Sequence, residues 1–199
     1  MTAFDDRERA RIREALIESG RERFARYGLR KTTIADLTEP VGIATGTFYR
    51  FFDSKEALFW TVLEGEREDV LERYEAAVAA ADGPREEIVA LLTAICDEIE
   101  ANPLTRAVLA DGEIDRLIRG MSDEELAEGH RRSVEYLLSY VESWQEAGAV
   151  IEADPEVVAG VLRAVTFVTL HRDELGPGYP AVRATLIERL AIGLTATEE

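Results

Sequence analysis

Apolar residues recur at helical spacing along almost the whole 199-residue chain, and no stretch shows the sustained Val/Ile/Thr alternation of a strand. That period restricts the fold to packed helices. Glycines and prolines then cut the pattern into segments of unequal length. A helix over residues 5–27 carries Ile12, Leu16, Phe24 and Tyr27 on one stripe and stops at Gly28. Two short helices follow, near 33–40 and 44–51, separated by Gly42. Asp53 or Ser54 then caps a long helix to about residue 81, with Glu56 placed for a capping box. Pro84 opens a helix with Ile88, Leu91, Leu92, Ile95 and Ile99 on its buried side, and Asn102-Pro103 starts a shorter one. Residues 112–121 are ambiguous. Ser122 and Glu125 form a capping box for a helix to about 147, bearing Val134, Leu137, Leu138, Val141 and Trp144. Two last helices span about 155–173 and 180–195. The expectation is an all-α chain of about nine helices, with an N-terminal three-helix helix-turn-helix head over 1–53 (motif about 33–52) and a larger helical body over 54–199.

Short helix, glycine turn, short helix is the layout that presents a second helix to the DNA major groove. Ile34, Leu37, Val41, Ile43, Phe48 and Phe52 supply the apolar contacts that pack the two helices, and Gly42 accepts the positive φ of the turn. Thr45, Gly46, Thr47, Tyr49 and Arg50 leave hydroxyls, a phenol and a guanidinium on the outward side of the second helix, groups able to bond phosphate oxygens or base edges. Thr33 and Lys55 bracket the unit, each near a helix N-terminus whose N–H groups favour an anion.

The run Thr33-Ile34-Ala35-Asp36-Leu37, Val41-Gly42-Ile43, Gly46-Thr47-Phe48-Tyr49-Arg50-Phe51-Phe52 and Ser54-Lys55-Glu56-Ala57-Leu58 resembles the TetR family of bacterial and archaeal transcriptional regulators. The resemblance covers about residues 8–60; beyond it only length and helical layout agree. It implies phosphate contacts at Thr33, Tyr49 and Lys55, groove-facing positions at Thr45, Gly46, Thr47 and Arg50, and core positions at Phe48 and Phe52. It also implies a repressor that binds its operator as a homodimer and is released by a small-molecule effector moving the long helix after the reader. Three residues depart from the pattern. Pro40 replaces a usual alanine and should end the first short helix near Glu39. Ala44 stands where a capping Ser or Thr is common, a loss of about 1 kcal/mol unless Thr45 takes over. Phe51 replaces a residue that often supplies a polar contact.

The net charge of −17 conflicts with DNA binding until it is divided. Residues 1–60 hold 11 basic and 10 acidic side chains, whereas 61–199 hold 12 and 30, so only the head can approach phosphate without strong repulsion. Only Lys31 and Lys55 among the 23 basic residues are lysine. An acidic, lysine-poor surface suits a protein working in concentrated salt.

In the body, residues 155–173 are apolar on nearly all sides and the last helix adds Val182, Leu186, Leu190 and Leu194, a pattern that fits either completion of a monomer core or a four-helix dimer interface; the resemblance to the TetR family implies the dimer. Trp60, Tyr74, Arg106, Met121, His130, Tyr136, Tyr140 and Trp144, with Cys96 near them, are candidates for an effector cavity. Core packing is the competing role for each aromatic. Cys96 is the single cysteine and reads as a small buried apolar residue. No secretory leader or bilayer-length apolar run is visible, and a cytoplasmic location is expected. No cofactor or metal is called for. An enzyme is disfavoured, because HExxH, CxxC, GxSxG and GxxxxGK[ST] are all missing and His171-Arg172-Asp173 lacks every partner of a kinase loop. A helical interaction protein that kept the head without operator binding is the remaining alternative.

Overall fold

The computed structural model describes residues 5–110 and 123–195. Helix α1 spans Asp6–Lys31, α2 Ile34–Thr38, α3 Thr45–Phe48, α4 Lys55–Ala79, α5 Pro84–Ala101 and α6 Pro103–Ala110. After them come α7 (Asp123–Glu146), α8 (Pro155–Leu170), the single turn α9 (Arg172–Leu175), a 3-10 turn at Gly176–Gly178 and α10 (Tyr179–Leu194). The chain is all-α, as its periodicity requires; an isolated antiparallel bridge joins Val150 to Thr195. The ambiguous stretch 112–121 and the Ser122–Glu125 capping box lie outside the described residues, as do the side chains of Met121, His130 and Val134.

Two compact units emerge. The first takes the residues up to Asp69 together with α6; the second takes Val70–Ala101 and the helices from α7 onward. The division falls inside α4, well past the expected 53/54. The physical reason is that Leu58, Phe59 and Val62, on the first turns of α4, are completely buried in the core of the head. Phe24 meets Phe59 edge to face with ring centroids 5.1 Å apart, and Ile12, Leu16, Leu29, Leu37, Phe48 and Leu104 complete that core. Tyr27 does not join the stripe expected of it. It is exposed beneath the Arg26 guanidinium at the end of the regular helix; Gly28 (φ 74°) then kinks α1, and Leu29 beyond the kink is buried.

The second unit is built on α5, whose Ile88, Leu91, Leu92, Ile95 and Ile99 are buried as their spacing predicts. Leu137, Val141 and Trp144 of α7, Val158, Leu162 and Val165 of α8, and Ile187, Ala191 and Leu194 of α10 close over it. The Trp144 indole donates to Glu87 Oε2 at 2.6 Å, and Arg73 pairs with the buried Glu98 at 2.6 Å. Arg183 binds Glu100 (2.5 Å) and Asp97, and Tyr179 donates to the same Glu100 oxygen at 2.6 Å. Burial alone would lower the Arg183 pKa, but the hydrogen bond and charge of Asp97 outweigh it and hold the guanidinium above its ordinary range. Cys96 is buried and its thiol pKa is raised by desolvation, in keeping with a packing role.

Candidate nucleic-acid interface

Thr33 begins the motif as the N-cap of α2. Its Oγ1 accepts from the Asp36 N–H at 3.2 Å and donates to Asp36 Oδ2 at 2.6 Å, while the Thr33 N–H donates to the same carboxylate at 2.8 Å. This is a complete capping box, with aspartate in the place more often held by glutamate. The hydrogen bonds from Thr33 lower the Asp36 pKa below the usual carboxylate value. Helix α2 ends at Thr38, one residue before the point Pro40 dictates at the latest. Ser19 Oγ of α1 donates to the Leu37 carbonyl at 3.0 Å and ties the two helices together.

Gly42 then turns the chain at φ 72°, with its N–H on the Glu39 carbonyl (3.1 Å) and the Ile43 N–H on that of Thr38 (3.3 Å). Leu37, Phe48 and Phe52 are buried, and Ile34, Val41 and Ile43 pack half-buried against them, which fixes α3 on α2. Ala44 caps α3 without any side-chain bond, and Thr45 does not take its place. The last turn tightens after Phe48: the N–H groups of Arg50 and Phe51 reach back three residues, to Thr47 and Phe48.

The side chains expected to face DNA emerge on one short element. Thr45, Gly46, Tyr49 and Arg50 are exposed and Thr47 is half-buried. Tyr49 is 59% exposed with its ring against the edge of Phe48, a rigid support for a projecting phenol. Lys55 is held differently. Its Nζ donates to the Leu29 carbonyl at 2.6 Å and the Thr32 carbonyl at 2.7 Å, so two of its three donors fasten the end of α1 to the start of α4. Ser54, not Asp53, caps α4 by accepting from the Ala57 N–H at 3.0 Å. Glu56 is one position too early to close the expected box.

The candidate effector residues do not gather at one place. Trp60 and Arg106 belong to the head, where both are exposed. In the second unit Tyr74 and Tyr136 form one aromatic pair with centroids 5.9 Å apart, and Tyr140 and Trp144 another at 5.7 Å. Burial raises the pKa of Tyr74 and pushes Tyr136 up to about 12, so both phenols stay neutral. Trp144 fills the core. The second unit also carries open clefts of about 710 Å³, bordered by Val89, Thr93, Tyr179, Arg183 and Ile187, and about 680 Å³, bordered by Ala77, Ala81, Arg85, Val89 and Asp97. None of the described candidate residues lines either. The sequence carried no signal for these clefts, because they arise from how α5 and α10 meet.

Residues 16–61, the stretch that forms this motif, match the model of the bacterial regulatory proteins, tetR family. The chain is 28% identical over 160 residues to the HTH-type transcriptional repressor KstR2 of Rhodococcus jostii, covering 80% of this chain and 78% of that one. A TetR-family regulator from Pectobacterium atrosepticum superposes over 98% of this chain and all of its own with TM-score 0.72 at 23% identity. The ketosteroid transcriptional regulator KstR2 of Mycobacterium tuberculosis does so over 98% of both with TM-score 0.60, also at 23%. The structural likenesses establish the fold over the full length. The family match falls on residues 16–61, so the chain carries the DNA-binding head of the tetR-family bacterial regulatory proteins, and the relative that matches over most of its length is a helix-turn-helix transcriptional repressor.

Proposed function

We propose that the protein is an effector-responsive repressor that binds a palindromic operator as a homodimer. The observation that supports this reading best is an apolar face left uncovered on each of the last two long helices. On α8, Val157, Gly160, Val161, Ala164 and Phe167 are exposed, Val157 at 60% and Phe167 at 52%. Their spacing of three and four residues puts them on one third of the helix surface. The same spacing recurs on α10 as Val182, Thr185, Leu186, Arg189, Ile192 and Gly193, all exposed. A second copy related by a two-fold axis would bury both faces in a four-helix contact. It would also present two recognition helices to half-sites about 34–36 Å apart.

In this reading Thr45, Gly46, Thr47 and Arg50 read the groove while Thr33, Tyr49 and the remaining donor of Lys55 hold phosphates. Released DNA requires an effector that binds the non-DNA conformation more tightly than the DNA-bound one. Tyr74, Tyr136 and Tyr140 remain the aromatic surfaces proposed for it. The relative named a ketosteroid regulator makes a hydrophobic ring system a reasonable first probe. Among the described residues no helix is long and apolar enough to cross a membrane. The test is a gel-shift titration with the DNA upstream of its own gene. A discrete complex with two-fold symmetric protection supports the reading; protection of no sequence would favour a helical interaction protein.

A further inference from the structure

We propose that Arg9 and Arg13 form a second phosphate-holding site, carried by α1 rather than by the motif and stacked on the end of the recognition segment. The inference rests on the DNA-binding reading above. The Arg9 guanidinium lies 5.6 Å over the Phe51 ring and that of Arg13 5.2 Å over the Phe52 ring. The two arginines are four residues apart, hence neighbours on one helical face, and both are exposed. Phe51 and Phe52 directly follow Tyr49 and Arg50, so the stack places two guanidinium groups next to side chains already assigned to DNA. All four residues lie within the head.

A cation–π contact engages the charge of a guanidinium and consumes none of its N–H donors. Those donors are the part that binds a phosphate through two parallel hydrogen bonds. In a chain with 40 acidic and 23 basic residues, Arg21, Arg73, Arg85, Arg172 and Arg183 each pair with a carboxylate. Arg9 and Arg13 pair with none among the described residues; their recorded partners are the two rings. The aromatic supports also restrict the long side chains before binding, which lowers the ordering cost of capturing a phosphate.

The test is a salt titration of binding to the DNA upstream of its own gene. It compares the wild type with R9Q/R13Q and R9K/R13K, with thermal unfolding of each. The double glutamine variant is expected to lose at least about tenfold in affinity near 0.1 M salt, with the log–log salt slope shallower by about 0.9 for each phosphate contact removed. The lysine variant keeps the charge and should restore most of the slope. If R9Q/R13Q melts lower but binds with the wild-type slope, the arginines only cover the rings and the proposal is wrong. If the glutamine variant does not fold, a lysine variant with wild-type affinity supports the charge role, and one as weak as R50A contradicts it. Failure of the wild type itself to bind any DNA would overturn the operator reading and this inference with it.

Discussion

Lys55 and Tyr49 show how differently two residues proposed for the same backbone can be built into a head. Tyr49 projects into solvent from a ring contact. Tyr49→Ala should therefore weaken DNA binding and flatten its salt dependence while leaving the melting temperature nearly unchanged. Lys55 spends two donors on carbonyls 26 and 23 residues upstream. Lys55→Ala should weaken DNA binding and also destabilise the head by about 1–2 kcal/mol, visible in urea unfolding. Unaltered stability would show that its carbonyl bonds exchange freely with water. Thr47→Ala and Arg50→Ala should change the preferred operator sequence, and an unchanged selection profile would remove base readout from those positions. Asp36 sets a pH dependence. Its pKa is lowered in the folded state, so it favours folding at pH values above the ordinary carboxylate range near 4. That contribution disappears as the pH falls through the depressed value. Asp36→Asn should flatten the loss of head stability between about pH 5 and about pH 3. An equally steep acid transition in the variant would assign it to other carboxylates.

Among the elements, the ones legible in the sequence are those set by local signals. Gly42, Pro40 and the Thr33–Asp36 box mark the ends of α2 within a few residues, and the α5 stripe follows from its spacing alone. Other features are tertiary and left no local trace. Nothing near residue 55 reports that its ammonium will meet the end of α1, and nothing near residue 9 reports a stack on Phe51. Helical periodicity also runs unbroken through 69/70, so the division of the chain inside α4 could not be read from pattern; the buried Leu58, Phe59 and Val62 reveal it. The kink at Gly28 resets the face of α1 for the residues beyond it, so the burial of Leu29 does not follow from the stripe before it. At the turn, a Cβ added to Gly42 would meet no atom within 4 Å, so only backbone strain opposes substitution. Gly42→Ala should cost about 1–2 kcal/mol in head stability. A variant as stable as the wild type would mean that the turn adopts another geometry in solution.

At the scale of the molecule, charge and apolar surface are segregated. The near-neutral head and the acidic remainder leave one approach to DNA, and the uncovered faces of α8 and α10 define the proposed contact between copies. Val161→Asp with Phe167→Asp should convert a dimer to a monomer in light scattering and reduce operator affinity by more than tenfold; a dimer that survives both changes would place the interface elsewhere. The excess of carboxylates predicts that added salt raises the melting temperature by screening self-repulsion. A protein fully stable without added salt would remove the support for a high-salt habitat. The central claim, that residues 33–55 read a symmetric operator, is tested most directly by footprinting the purified protein on the DNA upstream of its own gene. Two protected half-sites about one helical turn apart, lost in Arg50→Ala, are the predicted result. Protection that is absent, or that persists unchanged in Arg50→Ala, would contradict it.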